Sequence, residues 1–462
     1  MEQKELVVLG GGPAAVAAAS ALLDRGAQVS LLEAGLRLEH EQEVLQKALA
    51  VKQPSDWTPN DLAPITGKTR ATTKGVPQKL VHGSDFPFRT INPATSLEVR
   101  EAKVLRSFAT GGLSNVWGAC ILPYPKHELD AWPLDPSELD AHYAAVLALM
   151  PHSGAAKEDP HGIPRYSENY QPLELSNQAR TFLDDLRRSA SSLRSRGIEF
   201  FQARLAVDAA GSGGCRYCGM CLYGCPWNLI YSAAHSLPGL TARGLEHISG
   251  LWVDYLEEHG DSVRIHCRNV SSGESEVLSA KKVFLATGFV ESTRILLKSQ
   301  QRYNTPTTAL HSDRFTLPFF RFRSEKNVAE ETLHTLCQLY LELTSPSLGE
   351  RSVHLQLYTY SDLFQKALDA RLGPLRKPLR LLTTAAATRL FIFFGYLHSD
   401  VSSRLRIELV KTAAGEQLKV SGEASPQAKR ISWRVAQLLG STAHRLRGLP
   451  AAPMMDQPGG GN

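Results

Sequence analysis

The chain has 462 residues, 43% hydrophobic and 21% charged, which describes a globular protein with a sizeable core and, at about 150 residues each, two or three domains. Gly (35) and Pro (26) stand near average and exclude a collagen-like or wholly disordered chain. The 51 basic and 46 acidic residues leave a net +5, too little to argue for nucleic acid as a partner.

The start, Met1-Glu2-Gln3-Lys4-Glu5, runs straight into Leu6-Val7-Val8-Leu9. It lacks the basic start, longer apolar stretch and small-residue cleavage site of a signal peptide, so the expected compartment is the cytoplasm. Leu6 to Leu9 reads as a buried strand, followed by Gly10-Gly11-Gly12-Pro13-Ala14-Ala15, an Ala-rich helix to Arg25, and a second strand from Gln28 to Leu32 that ends at Glu33. This is a strand–turn–helix–strand unit carrying G-x-G-x-x-A. Gly10 allows the tight turn, Gly12 lets backbone approach a pyrophosphate, and Ala15 lets the helix pack closely on the sheet. The helix N-terminus offers N–H groups and a positive dipole to phosphates. Glu33 can accept hydrogen bonds from ribose hydroxyls, and its charge opposes the 2′-phosphate of NADP. The unit predicts a dinucleotide but does not itself separate FAD from NAD.

A second glycine-rich stretch, Thr110-Gly111-Gly112-Leu113-Ser114-Asn115-Val116-Trp117-Gly118, reads as a loop that brings backbone close to a ligand. Residues 126–204 look largely helical, with Pro-rich breaks between His161 and Pro172, and are expected to form an inserted cap. Leu251 to Leu256, Val263 to Cys267 and Glu276 to Ser279 look like short strands. Lys282 to Leu285 reads as another, turning at Gly288 into a helix from about Glu291 to Lys298. The nucleotide domain is thus left near Glu39 and re-entered near Leu251.

Seven cysteines are present, and Cys215, Cys218, Cys221 and Cys225 fall within eleven residues. Their pattern, C-x2-C-x2-C-x3-C-P, is the bacterial ferredoxin spacing. Thiolates are soft ligands that suit an iron–sulfur cluster, with zinc as the alternative and a disulfide or free thiols as the remainder. Gly219 and Gly224 permit the tight turns that such wrapping needs. Either all four hold one cluster, or Cys225 stands apart and another cysteine completes the site.

With these motifs the chain resembles the glucose-methanol-choline (GMC) oxidoreductases. The resemblance rests on Gly10 to Ala15 with Glu33, on Gly111 to Gly118, on Trp132-Pro133 with Tyr143, and on Val283 to Gly288 with Ser292 and Arg294. It covers most of the first 300 residues. It implies an α/β fold: a discontinuous Rossmann-like FAD-binding domain with a second, α+β substrate domain. It implies FAD, with Gly111, Gly112 and Asn115 along the flavin, Val253 beside the adenine through its backbone, and Ala286 and Gly288 in the same site. It also implies hydride transfer from the CH–OH group of a small alcohol or sugar. The cysteine run is not part of the general family pattern. With the flavin it points to a dehydrogenase rather than an oxidase, one that hands electrons singly to an acceptor protein or a quinone. A flavin/iron–sulfur electron-transfer protein, or a non-catalytic member holding zinc, are the alternatives.

The expected organisation is 1–125 for the first part of the FAD-binding domain and 126–204 for the cap. The cysteine insertion and the domain's return occupy 205–300, and the substrate domain 301–462. In the last part Leu355 and Leu357, Phe391 and Phe393, and Leu405, Ile407 and Leu409 alternate as strands do. Ala413-Ala414-Gly415 reads as a hairpin turn, and Ser425 with Pro426 as the start of a helix to Gly440. Leu381 to Leu397 is apolar but short for a membrane span and interrupted by Arg389, so no transmembrane segment is expected. Late basic residues (Arg371, Arg376, Lys377 and Arg380; Lys429, Arg430, Arg434, Arg445 and Arg447) read as solvated faces. The family's C-terminal segment with its catalytic His finds no match before Asn462, and truncation is the favoured explanation. No catalytic residue is therefore assigned. His311, His354 and His398 are the candidates for a general base.

Overall fold

Three sheets organise the residues that the computed structural model describes, which are 3–67, 78–91, 93–130, 132–155, 163–361, 385–413 and 415–459. In chain order come β1 (Gln3–Leu9), α1 (Pro13–Asp24), β2 (Val29–Glu33), α2 (His40–Ala50), α3 (Pro59–Thr66), β3 (Ser96–Arg100) and α4 (Leu139–Ala148). Next are α5 (Asn177–Arg188), α6 (Ala190–Arg194), β4 (Ile198–Gln202), α7 (Ala233–Ala242) and β5 (Glu246–Ser249). Then follow β6 (Leu251–His259), β7 (Ser262–Asn269), β8 (Ser275–Leu285) and α8 (Phe289–Ser299). The remainder holds β9 (Thr307–Leu310), β10 (Arg314–Arg321), β11 (Leu339–Leu343), β12 (Val353–Tyr358), β13 (Leu390–Leu397), β14 (Arg404–Thr412) and β15 (Gly415–Glu423). It ends with α9 (Pro426–Ser441), α10 (Ala443–Leu446), β16 (Gly448–Pro450) and β17 (Met454–Met455).

The first sheet runs β5-β2-β1-β8-β7-β6. Its first four strands are parallel and its last three form an antiparallel meander. All of β2 is buried, as befits a parallel strand covered on both faces. On one face Ala15 and Ala19 of α1 and Leu237 and Leu240 of α7 pack against Val8 and Leu31. On the other, Ile295 of α8 meets Val7, Leu9 and Leu32. This is the Rossmann-like arrangement expected from the sequence. The segments Glu276 to Ser279 and Lys282 to Leu285 are one strand rather than two. β8 pairs with β7 up to Ala280 and with β1 on to Leu285, so the polar pair Lys281-Lys282 marks the end of one ladder, not of the strand.

The second sheet runs β16-β10-β13-β12-β11-β4, with β17 also on β10. One face carries Phe315, Leu317 and Phe319, Leu355 and Leu357, and Phe391 and Phe393 against α5 and α9. Fully burying each such side chain stabilises the fold by about 1.5–3 kcal/mol. The third sheet, β3-β15-β14-β9, packs Leu405, Ile407, Leu409 and Val420 against Val290 and Leu297 of α8. The segment expected as a cap is thus divided. Its α5, α6 and β4 belong to the second sheet, where Ile198–Gln202 pairs along β11.

Ser425 caps α9, its Oγ accepting from the Ala428 N–H at 3.2 Å with Pro426 in the first turn. Thr412 pairs with Gly415 across the expected hairpin, whose Ala414 lies outside the described residues. Arg371, Arg376, Lys377, Arg380, residues 381–384 of the apolar run, and His161 also lie outside them. Among the described residues no helix is long and apolar enough to cross a membrane.

Candidate functional site

A cavity of about 400 Å³ opens at the carboxyl ends of β1, β2 and β8, where open α/β sheets bind their ligands. Gly10, Gly12, Glu33, Gly112, Val253, Ala286 and Gly288 all line it. Gly10 has φ +111°, and a Cβ there would fall 2.4 Å from the Ala286 carbonyl oxygen, so the turns after β1 and β8 touch through it. A Cβ on Gly12 would meet nothing within 4 Å, which leaves that backbone open to the cavity. The first-turn N–H groups of α1 have no partner within the helix.

Glu33 is buried. Its Oε1 accepts from Thr110 Oγ1 at 2.7 Å and lies 2.9 Å from His247 Nε2, while Oε2 has no partner. A buried carboxylate oxygen without a donor is costly unless a ligand supplies one. The unpaired Oε2, the open backbone at Gly12 and the helix N-terminus fit the ribose and pyrophosphate of a dinucleotide.

The other predicted residues stand behind this surface. Ala15 is fully buried between α1 and the sheet. Gly111 docks the second glycine-rich loop on the first turn, its N–H donating to the Gly11 carbonyl at 3.0 Å. Asn115 closes that loop. Its Nδ2 donates to the carbonyls of Thr110 (2.9 Å) and Gly112 (2.8 Å), and its Oδ1 accepts from Ser232 Oγ at 2.9 Å. Val253 lines the cavity, but its carbonyl is taken by Arg294 at 2.6 Å.

Sequence reasoning missed Arg106, Trp252 and Glu291. They line the cavity, and both Arg106 Nη1 (3.1 Å) and Trp252 Nε1 (3.3 Å) donate to Glu291. Fully buried Arg294 braces them, donating to Glu291 Oε2 at 2.8 Å with its guanidinium over the Trp252 ring. Arg294 was part of the motif; nothing local marked Arg106.

All four clustered cysteines line one small cavity of about 20 Å³, with Leu229, Ile230, Trp227 and His334. Cys225 therefore stands with the other three, and the Leu229 N–H donates to its Sγ at 3.4 Å. All seven thiols are unpaired by disulfides. Burial pushes the Cys215 thiol up to about 12, with the neighbouring Cys221 adding to it, and raises Cys218 and Cys225 as well. Crowded, desolvated thiols of this kind do not ionise together without a cation. Among the described residues no group of three or more His, Cys, Asp or Glu side chains is placed to hold a metal ion.

Residues 94–304 match the GMC oxidoreductase family. No curated protein matches the chain significantly. Among solved structures, pyridoxine 4-oxidase from Mesorbium loti aligns with a TM-score of 0.53 at 13% identity, over 96% of this chain and 80% of that one. At that identity the likeness concerns the fold. A flavoprotein/dehydrogenase from Cytophaga hutchinsonii aligns at 11% identity over 98% of this chain and 66% of that one, with a TM-score of only 0.28. These findings support the GMC family. FAD and the oxidation of alcohol-type substrates are what the family implies.

None of the three candidate bases lines the cavity at the carboxyl ends of β1, β2 and β8. His311 is buried with both ring nitrogens unbonded and the Asp313 carboxylate 3.7 Å away. His398 lies 3.6 Å from Glu128 and 3.4 Å from Asp400. His354 Nδ1 contacts the Glu342 carboxylate, and its ring packs against Tyr340.

Proposed function

We propose that the chain is an FAD-dependent dehydrogenase that removes hydride from an alcohol or sugar CH–OH group and releases the electrons singly, with Cys215, Cys218, Cys221 and Cys225 holding an iron–sulfur cluster. The observation that carries this reading is the closeness of the two cavities. Ile230 walls the cysteine cavity; the next residue, Tyr231, accepts from Trp117 Nε1 at 2.7 Å and packs its ring edge-on to the indole; Trp117 lines the nucleotide cavity.

When bound, FAD would supply a two-electron acceptor and the cluster a one-electron one. The protein's own work is to bind and orient. Glu33 Oε2 takes ribose hydroxyls and its charge turns away NADP. Gly12 and the first turn of α1 receive the pyrophosphate. Glu291 and Arg106 hold the far wall. Lys79 Nζ donates to the Trp117 carbonyl at 3.3 Å, and burial lowers its pKa to about 8. The electron acceptor is a protein or a quinone.

The test is an anaerobic visible spectrum of the purified chain with iron, acid-labile sulfide and zinc assayed on the same sample, repeated on Cys221→Ser. Flavin bands over a broad absorption that dithionite bleaches, with iron lost in the variant, are expected. Flavin without iron would remove the single-electron step, zinc in place of iron would do the same, and a protein that binds no flavin would overturn the reading altogether.

A further inference from the structure

A further cavity, of about 790 Å³, shares no lining residue with the two described above. Three separate pieces of chain build it. The turn between α6 and β4 brings Arg196, the turn between β11 and β12 brings Ser345 and Ser347, and α9 brings Arg434, Gln437 and Ser441.

The pieces are locked together. Gly197 has φ +74°, and a Cβ there would fall 2.7 Å from the Ser345 nitrogen, so the two turns meet through a glycine. The Thr344 N–H donates to the Gly197 carbonyl at 2.8 Å. Leu348, just past the second turn, is buried in one cluster with Ile431, Val435 and Leu439 of α9. Arg434, Gln437 and Ser441 stand at i, i+3 and i+7, which puts them on one face of that helix. Arg196 Nη1 joins the first turn to the helix by donating to Ser441 Oγ at 3.3 Å.

The lining is rich in donors and contains no carboxylate. Among the described residues neither Arg196 nor Arg434 is ion-paired, and Arg434 and Gln437 have no hydrogen-bond partner. Glu199, the acid nearest Arg196 in sequence, is taken by Arg194 at 3.0 Å. Ser441 spends its own proton on the Leu438 carbonyl at 2.8 Å. Ser345 and Ser347 share one hydrogen bond at 3.0 Å, which leaves one hydroxyl proton of the pair unused. The uncommitted donors are therefore two guanidinium groups, one amide and one hydroxyl. From sequence Arg434 reads as part of a solvated basic face; the fold places it in a groove with a second arginine.

A guanidinium fork without a carboxylate matches a phosphate, which it can hold bidentately. The volume lies in the range of small-molecule sites, larger than a phosphate alone needs, and Pro346 and Leu438 give the groove an apolar part. We propose that this groove binds a small organic phosphate ester, at a site separate from the flavin. Arg196 and Arg434 take the phosphate oxygens, Gln437 and the Ser345–Ser347 pair donate beside them, and the organic part lies along Pro346 and Leu438.

The test is calorimetric titration of the purified chain with glycerol 2-phosphate in a phosphate-free buffer of low ionic strength. One equivalent binds, and the affinity falls as salt is added. Arg196→Gln and Arg434→Gln each weaken binding about tenfold, and Arg434→Lys, which keeps the charge without the fork, weakens it less. Both arginines are exposed, so the variants keep the fold, as their unfolding temperatures check. Glycerol does not bind, and inorganic phosphate binds more weakly than the ester. Absence of saturable binding, inorganic phosphate binding as tightly as the ester, or an affinity unchanged in the double arginine variant would each overturn the proposal. So would binding that survives in the double variant and falls in Gly12→Ala, since that phosphate would sit at the first turn of α1. Vesicles of phosphatidic acid recruit the chain no better than vesicles of phosphatidylcholine; recruitment that the double variant loses would assign the groove to a lipid headgroup and overturn the small ligand.

Discussion

Gly10 and Gly12 are two positions apart in one turn, yet the structure assigns them opposite consequences. At Gly10 an alanine must hold φ near +111° and place a Cβ 2.4 Å from the Ala286 carbonyl oxygen. The backbone strain costs about 1–3 kcal/mol and the forced contact about 1–3 kcal/mol more. Gly10→Ala should therefore lose about 2–6 kcal/mol without any ligand, a large part of a typical 5–15 kcal/mol. At Gly12 the backbone is extended (φ −84°, ψ −177°) and a Cβ has open space. The small loss of an N-cap glycine and the entropic gain of alanine nearly cancel, so Gly12→Ala should stay within about 1 kcal/mol of wild type when empty. Its methyl instead enters the cavity and should weaken FAD by about 1–3 kcal/mol, roughly fivefold to 150-fold in Kd. Urea denaturation of the FAD-free proteins and titration by flavin fluorescence measure the two effects. Equal destabilisation by both variants, or wild-type FAD affinity in Gly12→Ala, would refute the assignment of the cavity.

Glu33→Gln removes the charge from the unpaired oxygen facing the cavity, and charge-assisted bonds are about twice as strong as neutral ones, so FAD affinity should fall about tenfold in the same titration. Arg294→Met leaves the buried Glu291 without its closest cation and should lower the free energy of unfolding by about 3–5 kcal/mol in urea. His354 carries a pKa raised above 6.5, with Glu342, Cys120, Tyr340 and Tyr396 around it. Its stabilisation is fully present below pH 6.5 and is lost as pH rises through the raised value, so the stability gap between wild type and His354→Gln should shrink on the alkaline side. A gap that widens there would contradict the sign.

What was legible in the sequence is what neighbours in sequence can build. The run from Leu6 to Glu33 needs no distant partner to declare a turn, a helix N-terminus and an acidic strand end. The spacing of Cys215 to Cys225 likewise gathers thiols in one place, though it leaves open whether Cys225 joins the other three, as the structure has it. The wall of the cavity opposite was illegible because Arg106 and Glu291 meet across 185 positions, and an arginine in an irregular stretch carries no local sign of its partner. The Ile-Glu-Phe-Phe-Gln of β4 was read with the helices before it, since its one ladder among the described residues is to β11, far along the chain.

The topology explains why so much meets at one loop. After β2 the chain leaves the first sheet and, among the described residues, does not pair with it again until β5, next to β2. A segment that departs from the carboxyl end of a parallel strand departs over the binding crevice. Its most intimate return is at residues 110–120. Thr110 bonds Glu33, Gly111 bonds Gly11, and a Cβ on Gly112 would touch Gly12 at 3.4 Å. Trp117 then bonds Tyr231 beside the cysteine cavity, and a Cβ on Gly118 would stand 3.1 Å from the Tyr358 hydroxyl. One short stretch therefore contacts the turn after β1 and the neighbourhood of the four thiols. A strain applied at either of these has a packed route to the other, because close-packed interiors pass displacement on rather than absorb it.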